Sequence, residues 1–236
     1  MRVHGLVLVT MVVTSVSCLA DVSLHGEYAH DLHVSFESTH PQPCLFLPIP
    51  TDCAGLAVAS EADGLRIAGD TACSEEGQTG LNTAFEFDAS SSFEIAVLFT
   101  LYTPTSSFVL EVHDCTPVGR YHLTLTTSCE QSGAWWCWFG DDTPNDCQHL
   151  AGSPLELDET FPRTHTARLG FDANSGRFRA FLDSRLIGQT LAPAPLGLAI
   201  VRCLVSSGPG PGESNDTLLR ELAFGWDGEG QHTCEE

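Results

Sequence analysis

The stretch AWWCWFGDDTPNDC, residues 134–147, gathers more chemically able side chains than any other part of the 236-residue chain. Trp135, Trp136 and Trp138 stand beside Phe139, and Asp141, Asp142, Asn145 and Asp146 follow. If the segment is a strand, alternation puts Trp136 and Trp138 on one face and Trp135 on the other. A two-layer sandwich buries one face, so at least one indole is expected outside unless a loop covers it. An exposed indole is a flat apolar platform for a sugar ring, and nearby carboxylates and amides bind the hydroxyls. Packing competes with that role, because Trp is highly buried on average. The oxygens of Asp141, Asp142, Asn145 and Asp146 also suit Ca²⁺, which takes about six to eight of them. Their spacing matches no EF-hand, and Pro144 with Asn145 reads equally as a turn in a solvated acidic loop. Asp172 and Asn174 raise the same calcium question, with turn formation a sufficient account.

Other chemistries have thinner support. His25, His30, His33 and His40, with Asp31, lie near one another early in the chain. Imidazoles bind Zn²⁺ and Cu²⁺ readily, but this spacing fits no recognised site, and a solvated segment is expected. No G-x-S-x-G and no phosphate-binding glycine loop occurs. Asn215, Asp216 and Thr217 form a glycosylation sequon, usable where a cell glycosylates exported chains.

The start of the chain sets the expected compartment. Arg2 and His4 precede an apolar run from Leu6 to Val16, with no acidic residue before Asp21. The run falls short of the roughly 20 residues a spanning helix needs, so residues 1–20 read as a secretory signal. Cys18, Leu19 and Ala20 offer a small-x-small cleavage site; an earlier cut after Ser17 would leave Cys18 available for a lipid anchor. No later segment approaches spanning length, so the exported chain is expected outside the cytosol and off the membrane.

In such a compartment the ten cysteines read as disulfides. Each unstrained bridge contributes about 2–5 kcal/mol. Short loops such as Cys44 to Cys53 and Cys137 to Cys147 are plausible pairs. A cut after Ala20 leaves an odd number, and with it a free or intermolecular thiol. No C-x-x-C occurs, which argues against structural zinc. Lysine is absent, and 31 Asp and Glu face 10 basic residues for a net charge of −21. That surface repels nucleic acid and anionic membranes.

Helical periodicity is nearly absent, whereas short alternating strands recur from Gly64 onward. The clearest run is RTHTARLGFDANSGRFRAFLDSRLIG, residues 163–188. Ala167, Leu169 and Phe171 fall on one face, with Arg168 and Gly170 opposite. Turns at Ala173–Gly176 and Asp183–Ser184 make it a three-stranded meander. Further strands are expected at 64–67, 84–87, 93–102, 107–113, 120–126, 196–205 and 218–225, a spacing that argues for a sandwich or barrel. Residues 21–62 read as an irregular segment with an edge strand and a disulfide-pinned loop, since Pro41, Pro43, Pro48 and Pro50 forbid a central strand. The sandwich spans 63–226, GPGPGES at 208–214 is a loop, and 227–236 is a tail.

The meander resembles the late hairpin of the concanavalin A-like lectin/glucanase superfamily, the laminin-G-like jelly rolls. Leu169, Asp172, Gly176 and Asp183 fit that family's pattern, with Ser184 where glycine is frequent. LLRELAFG at 218–225 resembles its closing strand, and FEIAVLFTLYT at 93–103 a middle strand. The resemblance covers residues 64–226 and implies an all-β, two-sheet antiparallel jelly roll. It also implies glycan recognition, calcium near the binding edge in many members, and in some a glucanase strand E-x-D-x-E. Here ELDE at 156–159 keeps Glu156 and Asp158 on one face but puts Glu159 on the other. Two carboxyls about 5–5.5 Å apart would suffice for a retaining mechanism; an exposed acidic turn explains them more simply. The expectation is therefore a secreted, non-catalytic module that binds glycan or an extracellular protein surface. Its rivals are a glycoside hydrolase using Glu156 and Asp158, and a structural surface protein without ligand, in which an intermolecular disulfide is conceivable.

Overall fold

The computed structural model describes residues 22–36, 46–49, 56–70, 78–83, 85–103, 107–114, 120–126, 133–140, 143–150, 160–191, 197–206 and 214–230. In chain order the strands are β1 (His30–Ser35), β2 (Phe46–Ile49), β3 (Leu56–Glu61), β4 (Gly64–Asp70), β5 (Gln78–Thr83), β6 (Phe87–Asp88), β7 (Phe93–Leu101) and β8 (Ser107–Asp114). They continue as β9 (Arg120–Thr126), β10 (Gly133–Gly140), β11 (Thr143–Leu150), β12 (Arg163–Asp172), β13 (Arg177–Leu182), β14 (Arg185–Leu191), β15 (Leu198–Ser206) and β16 (Ser214–Trp226). Among the described residues there is no helix long and apolar enough to cross a membrane. The proposed leader at 1–20, Cys18, the Cys44 and Cys53 ends of their loop and GPGPGES except Ser214 lie outside the described residues.

Two antiparallel sheets form. The first runs β14-β13-β12-β7-β16-β4-β3, with β1 also paired to β16. The second runs β11-β10-β9-β8-β15-β5-β2, with β6 paired to β15. The meander folds as read: β12 pairs β13 with Leu169 opposite Ala180, and β13 pairs β14. Gly176 takes φ 61° in the first turn, a conformation glycine adopts without penalty. The second turn uses Asp183 and Ser184 at φ 49° and 64°. Two left-handed residues match the twist of a tight hairpin, and Asp183 stays there because it is tied down. Its carboxylate accepts the Thr166 N–H at 3.0 Å and meets His165 Nδ1 at 2.8 Å. Burial works against that charge, but these bonds hold the Asp183 carboxyl below its usual range.

Strands β2, β3, β5 and β11 were not legible as strands. β11, TPNDCQHL, has the composition of a loop, yet it pairs with β10 from Gly140–Thr143 to Ala134–Leu150. Asn145 and Asp146 therefore stand on a strand rather than in the expected turn. Tertiary pairing overrides local preference there. Pro48 lies in β2, at the edge of its sheet, where a missing N–H is tolerated.

The core lies between the sheets. Alternate residues of β7 (Phe93, Ile95, Val97, Phe99, Leu101) meet Phe108, Leu110, Val112, Val201 and Cys203 of the second sheet. Phe99 stacks on Phe108 across the gap with centroids 4.2 Å apart. Each such side chain contributes about 1.5–3 kcal/mol on burial. Cys203 is a free cysteine, and burial pushes its thiol up to about 12. One free thiol agrees with the odd cysteine count expected after a cut at Ala20, and Cys203 sits among apolar core residues.

The other face of β7 is buried as well. Val22 and Leu24 of the N-terminal segment pack on Ala96, Leu98 and Ala223. Glu94 anchors the segment, accepting hydrogen bonds from the N–H groups of His25 and Gly26 at 3.0 and 3.3 Å and from the Tyr28 hydroxyl at 3.0 Å. Arg168 pairs with the same carboxylate, both side chains being 6% exposed. Glu221 accepts the Val22 N–H at 3.2 Å.

Two outcomes follow from this packing. Arg168→Met should cost about 3–5 kcal/mol by leaving Glu94 buried and unpaired, and Arg168→Met with Glu94→Leu should recover most of it; denaturant midpoints measure both. Cys203→Ala should lower by one the thiols titrated in denaturant and leave the native titre unchanged, because a buried thiol with a raised pKa is inert.

Candidate functional site

The sandwich has two outer faces, and their polar groups are treated differently. On the first sheet the carboxylates and guanidiniums are matched. Besides Glu94 and Arg168, Arg66 reaches Asp216 at 2.6 Å and Glu61 at 3.1 Å. Beside Glu94 an open cleft of about 340 Å³ is lined by His25, Tyr28, Asp172, Arg179, Phe181 and Asp227, among others. Its chemistry is already spent. Glu94 is fully engaged by the segment it holds, and burial, then Glu94 itself, pushes the Tyr28 hydroxyl up, which keeps it a donor. Asp172 is occupied too: the Ser175 hydroxyl, then the Asn174 and Ser175 N–H groups, hold its carboxyl below the usual range. The Asp172 and Asn174 pair is thus a turn, with Ser175 closing it.

On the second sheet the matching is incomplete. Glu111 of β8 is buried on the outer face, 2% exposed, beside Arg202 of β15. Arg202 Nη1 donates one long bond of 3.5 Å to Glu111 Oε1. His113 Nδ1 lies 3.1 Å from the same oxygen, yet off the hydrogen-bond direction, so it has no hydrogen-bond partner. Arg202 Nε and Asn82 Oδ1 of β5 are buried without partners as well. These groups sit on three neighbouring strands, β8, β15 and β5. Buried polar atoms usually find partners; Thr217 Oγ1 and Trp226 Nε1 of the first sheet also lack one, but the three here lie on adjacent strands.

The strand register extends the face. Asn82, Arg202, Glu111, His122, Cys137 and Cys147 form one row across the sheet. The adjoining row on the same face carries Val109, Thr124, Trp135 and His149. A second adjoining row carries His113, Arg120 and Phe139. Trp136 and Trp138 fall in the rows of Leu110 and Val112, which belong to the core. The segment 133–140 is therefore a strand, in which Trp135 shares the register parity of Glu111 and Trp136 and Trp138 that of Leu110 and Val112. Cys137 and Cys147 are directly opposite.

Of the remaining candidates, Asp146 lies opposite Trp138 and Asn215 lies on β16 opposite Gly69. Asp141, Asp142, Glu156 and Asp158 lie outside the described residues. Among the described residues no group of three or more His, Cys, Asp or Glu is placed to hold a metal ion. His25 and His33 contact Glu94 and Glu221 at 3.8 and 3.5 Å, and His30 stacks on Trp226 at 5.2 Å, so these histidines spread along the segment. Glu111, His113, Arg202 and Asn82 were missed from sequence. The available signal was a charge inside an apolar run, as in FVLEVHD (108–114) and LAIVRCLV (198–205).

No protein-family model matches the chain, and no curated protein sequence matches it. Solved structures do. A prokaryotic β-1,3-1,4-glucanase (lichenase) derived from a mouse hindgut metagenome is 10% identical, with TM-score 0.57, 84% of this chain and 98% of that one covered. The Bacillus licheniformis β-glucanase is 8% identical, with TM-score 0.57 over 83% and 97%. The carbohydrate recognition domain of Emp47p is 13% identical, with TM-score 0.57 over 84% and 95%. At such identities the likeness speaks to architecture. This chain folds as a two-sheet antiparallel sandwich of the concanavalin A-like jelly-roll type.

Proposed function

We propose that the chain is an exported glycan-binding protein whose ligand lies across the outer face of the second sheet. One observation carries this: three buried polar atoms, Asn82 Oδ1, Arg202 Nε and His113 Nδ1, have no hydrogen-bond partner on three adjacent strands. Leaving a buried polar atom unpaired costs about 1–3 kcal/mol each. A ligand rich in hydroxyls would supply partners to such groups, and an aromatic position one row away, Trp135, would stack on a ring. The similar folds are named as glucanases and a carbohydrate recognition domain, which supports a sugar as the ligand class. Fold alone would not, since one scaffold hosts many functions.

The three tryptophans separate binding from packing. Trp135→Ala should weaken glycan binding by about tenfold with little change in melting temperature, as expected for one lost stacking contact. Trp136→Ala and Trp138→Ala should instead destabilise the fold by about 3–5 kcal/mol. Glycan-array titration and thermal melts read the two effects; undiminished binding by Trp135→Ala would remove this face from consideration.

Hydrolysis is the second reading, and the glucanases among the similar structures favour it. It requires a second carboxylate within about 5–5.5 Å of the first if configuration is retained, and Glu156 and Asp158 are the residues to test. Reducing-end release from β-1,3-1,4-glucan should then fall at least about a hundredfold in Glu156→Gln, the loss expected for a missing acid–base group. No release by the unaltered protein would leave binding as the activity.

A further inference from the structure

The pairing of charges over the centre of the first sheet stops at one edge. Among the described residues β14 ends that sheet, with β13 on one side and no strand on the other. An edge strand offers a row of N–H and C=O groups as a template for another chain. Leu186, Leu191 and Leu198 are the large hydrophobic side chains exposed among the described residues, and the first two lie on β14, 47% and 60% exposed. Register sets them beside β13: Leu191 is opposite Arg177, Gln189 opposite Arg179 and Leu186 opposite Phe181. Phe178, Ala180 and Leu182 of β13 belong to the core, so by alternation these six positions share the outer face.

The charge at this edge runs against that of the chain. Arg163, Arg168, Arg177, Arg179 and Arg185 are five of the ten arginines, and of the 31 acidic residues only Asp172 and Asp183 fall among them. Arg168 is spent on Glu94, and Arg179 reaches Asp172 only at 3.8 Å. Arg177 and the exposed Arg185 form no ion pair among the described residues. Asp172 is held by Ser175, and Asp183 by Thr166 and His165. The opposite edge, β3, differs in both respects: it exposes Ala59 and Ser60, and its Glu61 is bound by Arg66.

We propose that β14 is a docking edge for an acidic polypeptide segment, which adds to the first sheet as a further strand. The open backbone calls for a polypeptide rather than a sugar, because main-chain hydrogen bonds carry this mode of binding. Leu186 and Leu191 meet the apolar side chains of the added strand, and Arg177, Arg179 and Arg185 meet its carboxylates through charge-assisted bonds. The acidic remainder of the molecule repels such a segment elsewhere and so guides it to this edge. Pairing of β14 with a second copy of itself is disfavoured, since it sets two arginine-bearing edges against each other. The edge belongs to the other sheet from the glycan face and does not depend on it.

The test titrates the intact protein with a short labelled peptide that alternates valine and glutamate, read by fluorescence anisotropy. Its controls are the neutral valine–glutamine peptide and the glutamate peptide N-methylated at every peptide bond. The glutamate peptide should bind at least about tenfold more tightly than either, and lose about tenfold between about 0.05 and about 0.3 M NaCl as screening sets in. Arg185→Glu and Leu186→Glu should each weaken it by about tenfold, through a reversed charge and a lost apolar contact. Both side chains are exposed, so circular dichroism of the two variants should match that of the unaltered protein; if one fails to fold, the other carries the comparison. Equal binding of the N-methylated or the neutral peptide overturns the acidic strand, as does binding indifferent to both substitutions or no binding at all. A dimer of the unaltered protein in sedimentation that Leu186→Glu dissociates gives the edge to a second copy and overturns the proposal as well.

Discussion

Strand β7 lies in the middle of the first sheet with no surface in water, and both of its faces make contacts on which neighbouring elements depend. Phe93, Ile95, Val97, Phe99 and Leu101 meet the second sheet, while Glu94, Ala96, Leu98 and Thr100 are covered from outside. A carboxylate in that second row is tolerable only because Arg168, two backbone N–H groups and a phenol surround it. The same pair that makes Glu94 acceptable fixes the path of residues 22–28 and, through them, the approach of β1 to β16. Sheet geometry, segment docking and electrostatics thus meet at one buried ion pair.

The two outer faces illustrate opposite uses of polar groups in one scaffold. On the first sheet Glu94 pairs with Arg168, and Asp216 and Glu61 pair with Arg66, while the segment from Val22 to Tyr28 closes the centre. On the second, Arg202 Nε, His113 Nδ1 and Asn82 Oδ1 are brought together by register without hydrogen-bond partners. Matched groups rigidify, whereas unmatched ones retain affinity for something else. That contrast separates the cleft beside Glu94 from the face around Glu111.

Much of the architecture was legible because alternation is a strong signal where one face is buried. The meander of β12, β13 and β14 and its turn at Ala173–Gly176 could be placed, since Ala167, Leu169 and Phe171 alternate without interruption, although β14 continues past Gly188 to Leu191. β11 was opaque for the converse reason: at an edge with Pro144, Asn145 and Asp146, it is a strand by virtue of β10 rather than of its own residues. The face around Glu111 was hidden by a different mechanism. It is assembled from β5, β8 and β15, separated in sequence and joined only by register, so no local motif announces it. The Trp segment was half legible; the pleat divided Trp135 from Trp136 and Trp138, but tying either set to the row of Leu110 required the pairing of β8, β9 and β10.

The pairing of β1 with β16 has a temporal consequence. Val22 and Glu221, which hydrogen-bond in the finished molecule, are 199 positions apart. β16 also occupies the centre of its sheet, with β7 on one side and both β4 and β1 on the other. A chain emerging from its N-terminus therefore holds β1, β4 and β7 as three strands lacking their common neighbour, until the last strand arrives. Long-range closure of this kind is slow and leaves strand edges open meanwhile. Assembly of the first sheet is consequently an end-of-chain event, governed by when residues 214–226 become available rather than by how well the earlier strands are formed.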